Sequence, residues 1–126
     1  MSQDIVSDAL NMMNNAKKTK KTEVEIKKIS NLLIEVLKIM KQKEAIKKYK
    51  INAHNKSVEV SLGDFSECRA IKPRFTVDKS QIEQYRRRFL PSRNIGTVII
   101  STNKGLVTHE EAAQEGIGGC LIAFFY

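Results

Sequence analysis

Two continuous apolar runs late in the chain, TVIIS at 97–101 and CLIAFFY at 120–126, constrain the fold more than any other feature. Neither shows the 3.6-residue period of an amphipathic helix, and both are rich in β-branched or aromatic residues. The first reads as a strand buried on both faces and the second as a closing core strand. Between them, ISTNKGLVTHEEAAQEGIGG puts two hydroxyls, an amide, a lysine and a glycine directly after the first run. Thr108 with Glu111 three residues on is a capping box, so a short helix begins just past this polar tip and stops near Gly116. A chain that ends a buried strand on such a tip makes either a bare hairpin-like connection or a loop that touches a polar partner.

The first half follows a different rhythm. Ile5, Val6, Ala9, Leu10 and Met13 recur at helical period, with Asp4 placed to accept from the free N–H groups of the helix start. KKTKK, Lys17 to Lys21, follows as a basic connection, a solvated loop or a phosphate contact. Glu23 to Lys27 alternates as a half-buried strand. Ser30 then caps a second helix, in which Leu32, Leu33, Val36, Leu37 and Met40 form the core stripe and Lys38 and Lys41 face outward. Lys48 to Ile51 and Val58 to Leu62 read as a hairpin around Asn52 to Lys56.

At Gly63 and Asp64 the pattern changes to a β-rich one, and a domain boundary is expected there. CRAIKPRFTV, 68–77, has strand formers on both sides of Pro73, which confines that proline to an edge, bend or bulge. Gln81 to Phe89 carries Ile82, Tyr85 and Phe89 at helical spacing, with Arg86, Arg87 and Arg88 facing elsewhere, and Pro91 ends that helix. The expected fold class is α/β (α+β) in two small lobes. Residues 1–63 form an N-terminal α-β-α-β-β lobe, and residues 64–126 a C-terminal β-rich lobe with short helices.

Charge narrows the partners. The 126 residues carry a formal net charge of +8, an attractive field for a polyanion such as nucleic acid or a membrane surface. Residues 1–63 hold 13 basic against 7 acidic side chains and residues 64–126 hold 9 against 7, so the field is strongest on the first half. No stretch approaches the roughly 20 apolar residues of a membrane span, and MSQDIVSDAL has no signal-like character. A soluble, non-secreted protein is expected. Cys68 and Cys120 form no Cys-x-x-Cys pair, and His54 and His109 have no ligand spacing. Reduced cysteines, no metal and no cofactor are expected.

Ser101, Lys104, His109 and Glu111 are chemically capable of catalysis and close in sequence. Yet no nucleophile elbow, P-loop or His-Glu-x-x-His pattern is present, and the capping box already accounts for Glu111. Binding suits these residue types better. Hydroxyls and an amide on a tight loop with Gly105 can exchange hydrogen bonds with 2′-hydroxyls and base edges in the shallow minor groove of RNA. Lys104 adds a phosphate contact, and the helix start at Thr108 favours negative charge nearby.

STNKG followed by VTHEEA and GIGG closely resembles the Ser-Thr-Ser-x-Gly segment, the acidic short helix and the Gly-Gly strand of the small-subunit ribosomal protein eight family. DIVSDALNMMNNA is similar to that family's opening, and IKPRF with FLPSR resembles its archaeal and eukaryotic branch. The resemblance covers the whole chain, and the joint order of the motifs is specific.

The resemblance implies a structural, non-enzymatic constituent of the cytoplasmic small subunit that binds central-domain ribosomal RNA and supports assembly and translation. The RNA-reading loop carries over to Ser101, Thr102, Asn103, Lys104 and Gly105. Backbone contacts from the first lobe carry over to Asn15, Lys17, Lys18 and Lys20, and Lys72 and Arg74 of IKPRF join the RNA-binding candidates. Neighbours two, five and seventeen among small-subunit proteins are implied, with no membrane and no homo-oligomer. The alternative is an RNA-binding module that regulates translation off the ribosome, and a third possibility is a basic protein-interaction adaptor. Three positions depart from the family pattern. Asn103 replaces a frequent second serine, Cys120 a charged or polar residue, and Ile5 a frequent proline.

Overall fold

A computed structural model of the chain describes residues 5–52, 54, 56–71, 76–91 and 95–126. Asp4 and Pro73 lie outside the described residues. Among the described residues the fold is mixed α/β, with four helices and two antiparallel sheets, and the chain divides into two compact units, Met1–Cys68 and Arg69–Tyr126.

The first unit opens with α1 (Ile5–Lys18), whose Val6, Ala9, Leu10 and Met13 form a fully buried stripe. After β1 (Glu23–Ile26), Ser30 caps α2 (Asn31–Gln42) by accepting from the Leu33 N–H at 3.1 Å. In α2, Leu33, Val36, Leu37 and Met40 are wholly buried; Ile39 joins them, while Leu32 is only half-buried. Each such side chain contributes about 1.5–3 kcal/mol by leaving water. The strands β2 (Ile46–Asn52) and β3 (Ser57–Leu62) pair as a hairpin, and the sheet order is β1-β3-β2. Its register puts Val24, Val60 and Tyr49 in one row on one face, and Glu23, Ser61 and Lys48 in a row on the other.

Both helices end in the same way. The Lys21 N–H donates to the Ala16 carbonyl at 2.9 Å, and the Ala45 N–H to the Met40 carbonyl at 2.8 Å. Lys20 (φ 62°) and Glu44 (φ 65°) take the left-handed position between, where glycine is usual and another residue costs about 1 kcal/mol. KKTKK is therefore not a free loop throughout: Lys17 and Lys18 complete α1, and the turn comes only at Lys20.

The chain past Gly63 stays with this unit. A Cβ on Gly63 would lie 2.8 Å from the carbonyl oxygens of Glu44 and Ala45, so only glycine permits that approach. The Lys17 ammonium donates to the Gly63 carbonyl at 2.5 Å and sits 5.3 Å from the centre of the Phe65 ring. The buried Asn14 side chain then pairs with the Cys68 peptide as a strand partner would. Its Oδ1 accepts from the Cys68 N–H at 2.9 Å and its Nδ2 donates to the Cys68 carbonyl.

The second unit contains β4 (Cys68–Ala70, starting one residue earlier), β5 (Thr76–Val77), α3 (Ile82–Phe89), β6 (Thr97–Thr102), β7 (Gly105–Thr108), α4 (His109–Glu115) and β8 (Gly119–Phe125). Its sheet runs β4-β8-β6-β7, with β5 also on β8. Ile71, Val77, Ile82, Leu90, Val98, Ile100, Ala112, Leu121 and Phe124 form its core. Against expectation, Arg86 does not face away: it is buried, and Glu83 accepts from its Nη2 at 2.7 Å and its Nε at 3.1 Å. The Glu83 hydrogen bonds hold its guanidinium above its ordinary pKa. A cation one turn from its carboxylate can be buried as a bidentate pair, which apolar periodicity does not reveal.

Asn14→Ala would remove the two hydrogen bonds that its side chain makes with the N–H and C=O of Cys68. At about 0.5–1.5 kcal/mol for each lost bond, urea unfolding should show a loss of roughly 1–3 kcal/mol. A loss below about 1 kcal/mol would mean that the clamp contributes little.

Candidate nucleic-acid interface

The polar tip is the turn of the β6–β7 hairpin. Thr102 faces Gly105 across the ladder, so Asn103 and Lys104 alone span the two strands. Sequence reasoning missed β7, because Gly105 to Thr108 follows turn residues and leads straight into a helix cap. Neither Asn103 nor Lys104 has a positive φ; Gly105 has φ 105°. A turn of ordinary hand splays its strands, and a glycine with positive φ after it restores their twist. Nothing within 4 Å would meet a Cβ on Gly105, so conformation rather than space calls for glycine.

Thr102 braces the turn. Its hydroxyl accepts from the Lys104 N–H at 3.1 Å and donates to the Gly105 carbonyl at 2.9 Å. With that hydroxyl engaged, Asn103 and Lys104 are the exposed side chains of the turn. The Lys104 ammonium lies 3.9 Å from Glu115, an exposed pair of the kind that contributes little and is readily exchanged for another anion.

Behind the tip, Thr108 caps the helix as expected, with Glu111 meeting its hydroxyl rather than its backbone N–H. The Glu111 N–H donates to the Thr108 hydroxyl, which in turn donates to the Glu111 carboxylate, both at 3.2 Å. The helix closes on Gly116 at φ 69°. His109 is buried, and its Nδ1 accepts from the Val98 N–H at 3.1 Å, tying the start of α4 to β6. Thus the two groups that most resembled catalytic machinery, His109 and Glu111, are both engaged in holding the helix.

The root of the hairpin rests on two glycines. A Cβ on Gly119 would stand 2.2 Å from the Ser101 carbonyl oxygen, and one on Gly118 would stand 2.3 Å from that of Val77. GIGG therefore lets β8 lie close against β6 on one side and β5 on the other. Ser101 is half-buried in β6, opposite Leu106 on β7 and Cys120 on β8. Cys120 is half-buried, and its thiol makes a long 3.9 Å contact with the Leu121 carbonyl. Ser101 to Gly105 are thus brought together at one end of the second unit's sheet.

In the first unit, Asn15, Lys18 and Lys20 are exposed around the end of α1. Lys17 differs from them, because its ammonium is held by Gly63 and Phe65. Lys72 and Arg74 lie outside the described residues. Among the described residues, no group of three or more His, Cys, Asp or Glu side chains is arranged to hold a metal ion, and no helix is long and apolar enough to cross a membrane.

Gly119→Ala forces backbone oxygen and Cβ apart, so it should lower stability by about 1–3 kcal/mol or more. Gly105→Ala meets no atom and carries only its unfavourable φ, a cost of about 1 kcal/mol. Thermal unfolding of the two variants should rank them in that order. The reverse order would contradict the close approach at Ser101.

Residues 4–126 match the family model described as Ribosomal protein S8. The chain is 41% identical over 129 residues to the small ribosomal subunit protein uS8 of Nanoarchaeum equitans, and 36% identical over 129 residues to that of Picrophilus torridus. It is also 35% identical over 129 residues to the small ribosomal subunit protein uS8mz of Arabidopsis thaliana. Each of these alignments covers 100% of both chains.

Proposed function

The chain belongs to the ribosomal protein S8 family, whose members are structural components of the small ribosomal subunit rather than enzymes, and on that premise we propose that it binds small-subunit ribosomal RNA through the tip of its β6–β7 hairpin. The observation that carries this reading is the braced turn: Thr102 satisfies the backbone of Lys104 and Gly105. Asn103 and Lys104 are exposed. A turn held by its own hydrogen bonds loses little conformational freedom on binding, which favours affinity. An amide can both donate to and accept from 2′-hydroxyls and base edges in the minor groove, and Lys104 can leave Glu115 for a phosphate. Ser101 and Gly105 support the tip from the ladder.

Asn15, Lys18 and Lys20 add contacts to the phosphate backbone, which position rather than specify. Lys17 acts in this scheme mainly by holding the end of α1, and Lys72 and Arg74 remain candidates by resemblance. The left-handed Lys20 supports this division, because a cation kept where glycine would be less strained is expected when the cation has a task. The RNA would be in the central domain, the protein would join during assembly in the cytoplasm, and its neighbours would be small-subunit proteins two, five and seventeen.

Titration of a central-domain RNA fragment against three variants tests this reading. Asn103→Ala should lose about 1–3 kcal/mol of cognate affinity by stranding desolvated RNA groups. Asn103→Ser should keep most of that affinity. Lys20→Gly should gain up to about 1 kcal/mol in folding stability, yet weaken binding to cognate and unrelated RNA alike. Unchanged binding by Asn103→Ala with the fold intact would overturn the role given to the tip.

A further inference from the structure

A second basic feature of the first unit sits far in sequence from the end of α1. Between residues 38 and 50, KIMKQKEAIKKYK carries six lysines and one glutamate. A three-residue connection, 43–45, turns α2 directly into β2, with Glu44 in the left-handed conformation. On β2, a regular strand would send Lys47 and Lys48 to opposite faces. The ladder with β3 is instead irregular here: Ile46 faces Leu62 and Lys48 faces Ser61, leaving Lys47 as an extra residue. A bulge of this kind re-aims a side chain. Its consequence is visible in the surface. Both consecutive lysines line one open recess of about 360 Å³, together with Thr22, Glu23, Ser61 and Leu62.

We propose that this bulge recess is a phosphate-binding site for the RNA backbone, built on lysines other than those of the hairpin tip and of the end of α1, with Thr22 following directly on the latter segment. The inference rests on the ribosomal RNA-binding reading above and adds a contact surface to it. Two ammonium groups and the hydroxyls of Thr22 and Ser61 suit an oxyanion. Glu23 opposes it with one carboxylate, which accepts weakly from the Ser61 hydroxyl at 3.5 Å. Among the described residues no ion pair within 4.0 Å neutralises Lys47 or Lys48, and both are exposed. Lys50 continues the series on the same face as Lys48, about 7 Å further along the strand, opposite Glu59. Lysines on an edge strand also discourage edge-to-edge pairing. That role needs charge on the edge but does not need a bulge that gathers two lysines around hydroxyls. Charge complementarity therefore favours a phosphate chain as the occupant over an apolar or basic partner.

The test uses the full chain with Lys47→Gln/Lys48→Gln, alongside Lys47→Arg/Lys48→Arg and Asn103→Ala, titrated with a central-domain ribosomal RNA fragment over a range of salt. Loss of two phosphate contacts should reduce the slope of log affinity against log salt by roughly 1.8. The ratio of wild-type to Gln-variant affinity should accordingly widen roughly 25-fold as salt falls from about 0.3 M to about 0.05 M. The Arg variant should keep the wild-type slope, and thermal unfolding of all three proteins should confirm an intact fold. An unchanged slope in the Gln variant, while Asn103→Ala still loses cognate affinity, would overturn the recess and leave the tip standing. Wild-type RNA binding by the Gln variant with impaired incorporation into small subunits would overturn it in favour of an acidic protein partner. Failure of Asn103→Ala alone would count against the tip and not against the recess.

Discussion

Backbone meets backbone where β8 begins, and the second unit is arranged around that closeness. At Gly118 and Gly119 the chain passes so near Val77 and Ser101 that a single methyl group on either side would overlap a carbonyl oxygen. The approach sets the register Ser101–Cys120 and Thr76–Cys120, and so decides where β6 leaves the sheet. Further along, a shift between Ile99 and Ile100 accommodates one extra residue of β8, and the apolar runs then fill the core. The hairpin tip inherits its position from these contacts. Its own hydrogen bonds need only hold a two-residue turn.

From this follows a separation between polar groups that the fold consumes and polar groups that it presents. Asn14, Lys17, Arg86, Thr102, His109 and Glu111 are all capable of ligand chemistry by residue type. Each instead satisfies a backbone group, a carboxylate or, for Glu111, the Thr108 hydroxyl within its own unit. Buried polar groups left without partners are expensive, so such residues are claimed early by the structure. What remains exposed at the three proposed contact regions is an amide and a lysine on the turn, Asn15, Lys18 and Lys20 beside α1, and Lys47 and Lys48 at the bulge. These residue types suit a partner rich in phosphates and hydroxyls.

Much of this was legible in the residues, and the exceptions have physical reasons. Helix periodicity identified the cores of α1 and α2, and the capping signals at Ser30 and Thr108 correspond to real hydrogen bonds. The family was legible from the order of its motifs. By contrast, β7 was hidden because its four residues lie between a turn and a cap, and its identity depends on pairing with β6. Arg86 looked solvent-facing because the sequence shows Glu83 one turn away but not that the guanidinium is buried on its two hydrogen bonds. Asn14 and Cys68 lie 54 residues apart, and no local signal couples them. The expected strand began only at Lys48 and left Lys47 out, since a bulge has no reliable local signature. The tip residues stood out by chemistry, whereas the bracing role of Thr102 required coordinates.

The central claim is that the braced β6–β7 turn enters an RNA groove. Amide and side-chain NMR of the labelled full chain, titrated with a central-domain ribosomal RNA fragment, tests it most directly. The account predicts that Ser101 to Gly105 shift strongly and that the Asn103 side-chain amide gains contacts to ribose protons, while the core resonances of Val98 to Ile100 move little. Saturated RNA binding with the resonances of Ser101 to Gly105 unmoved would contradict it.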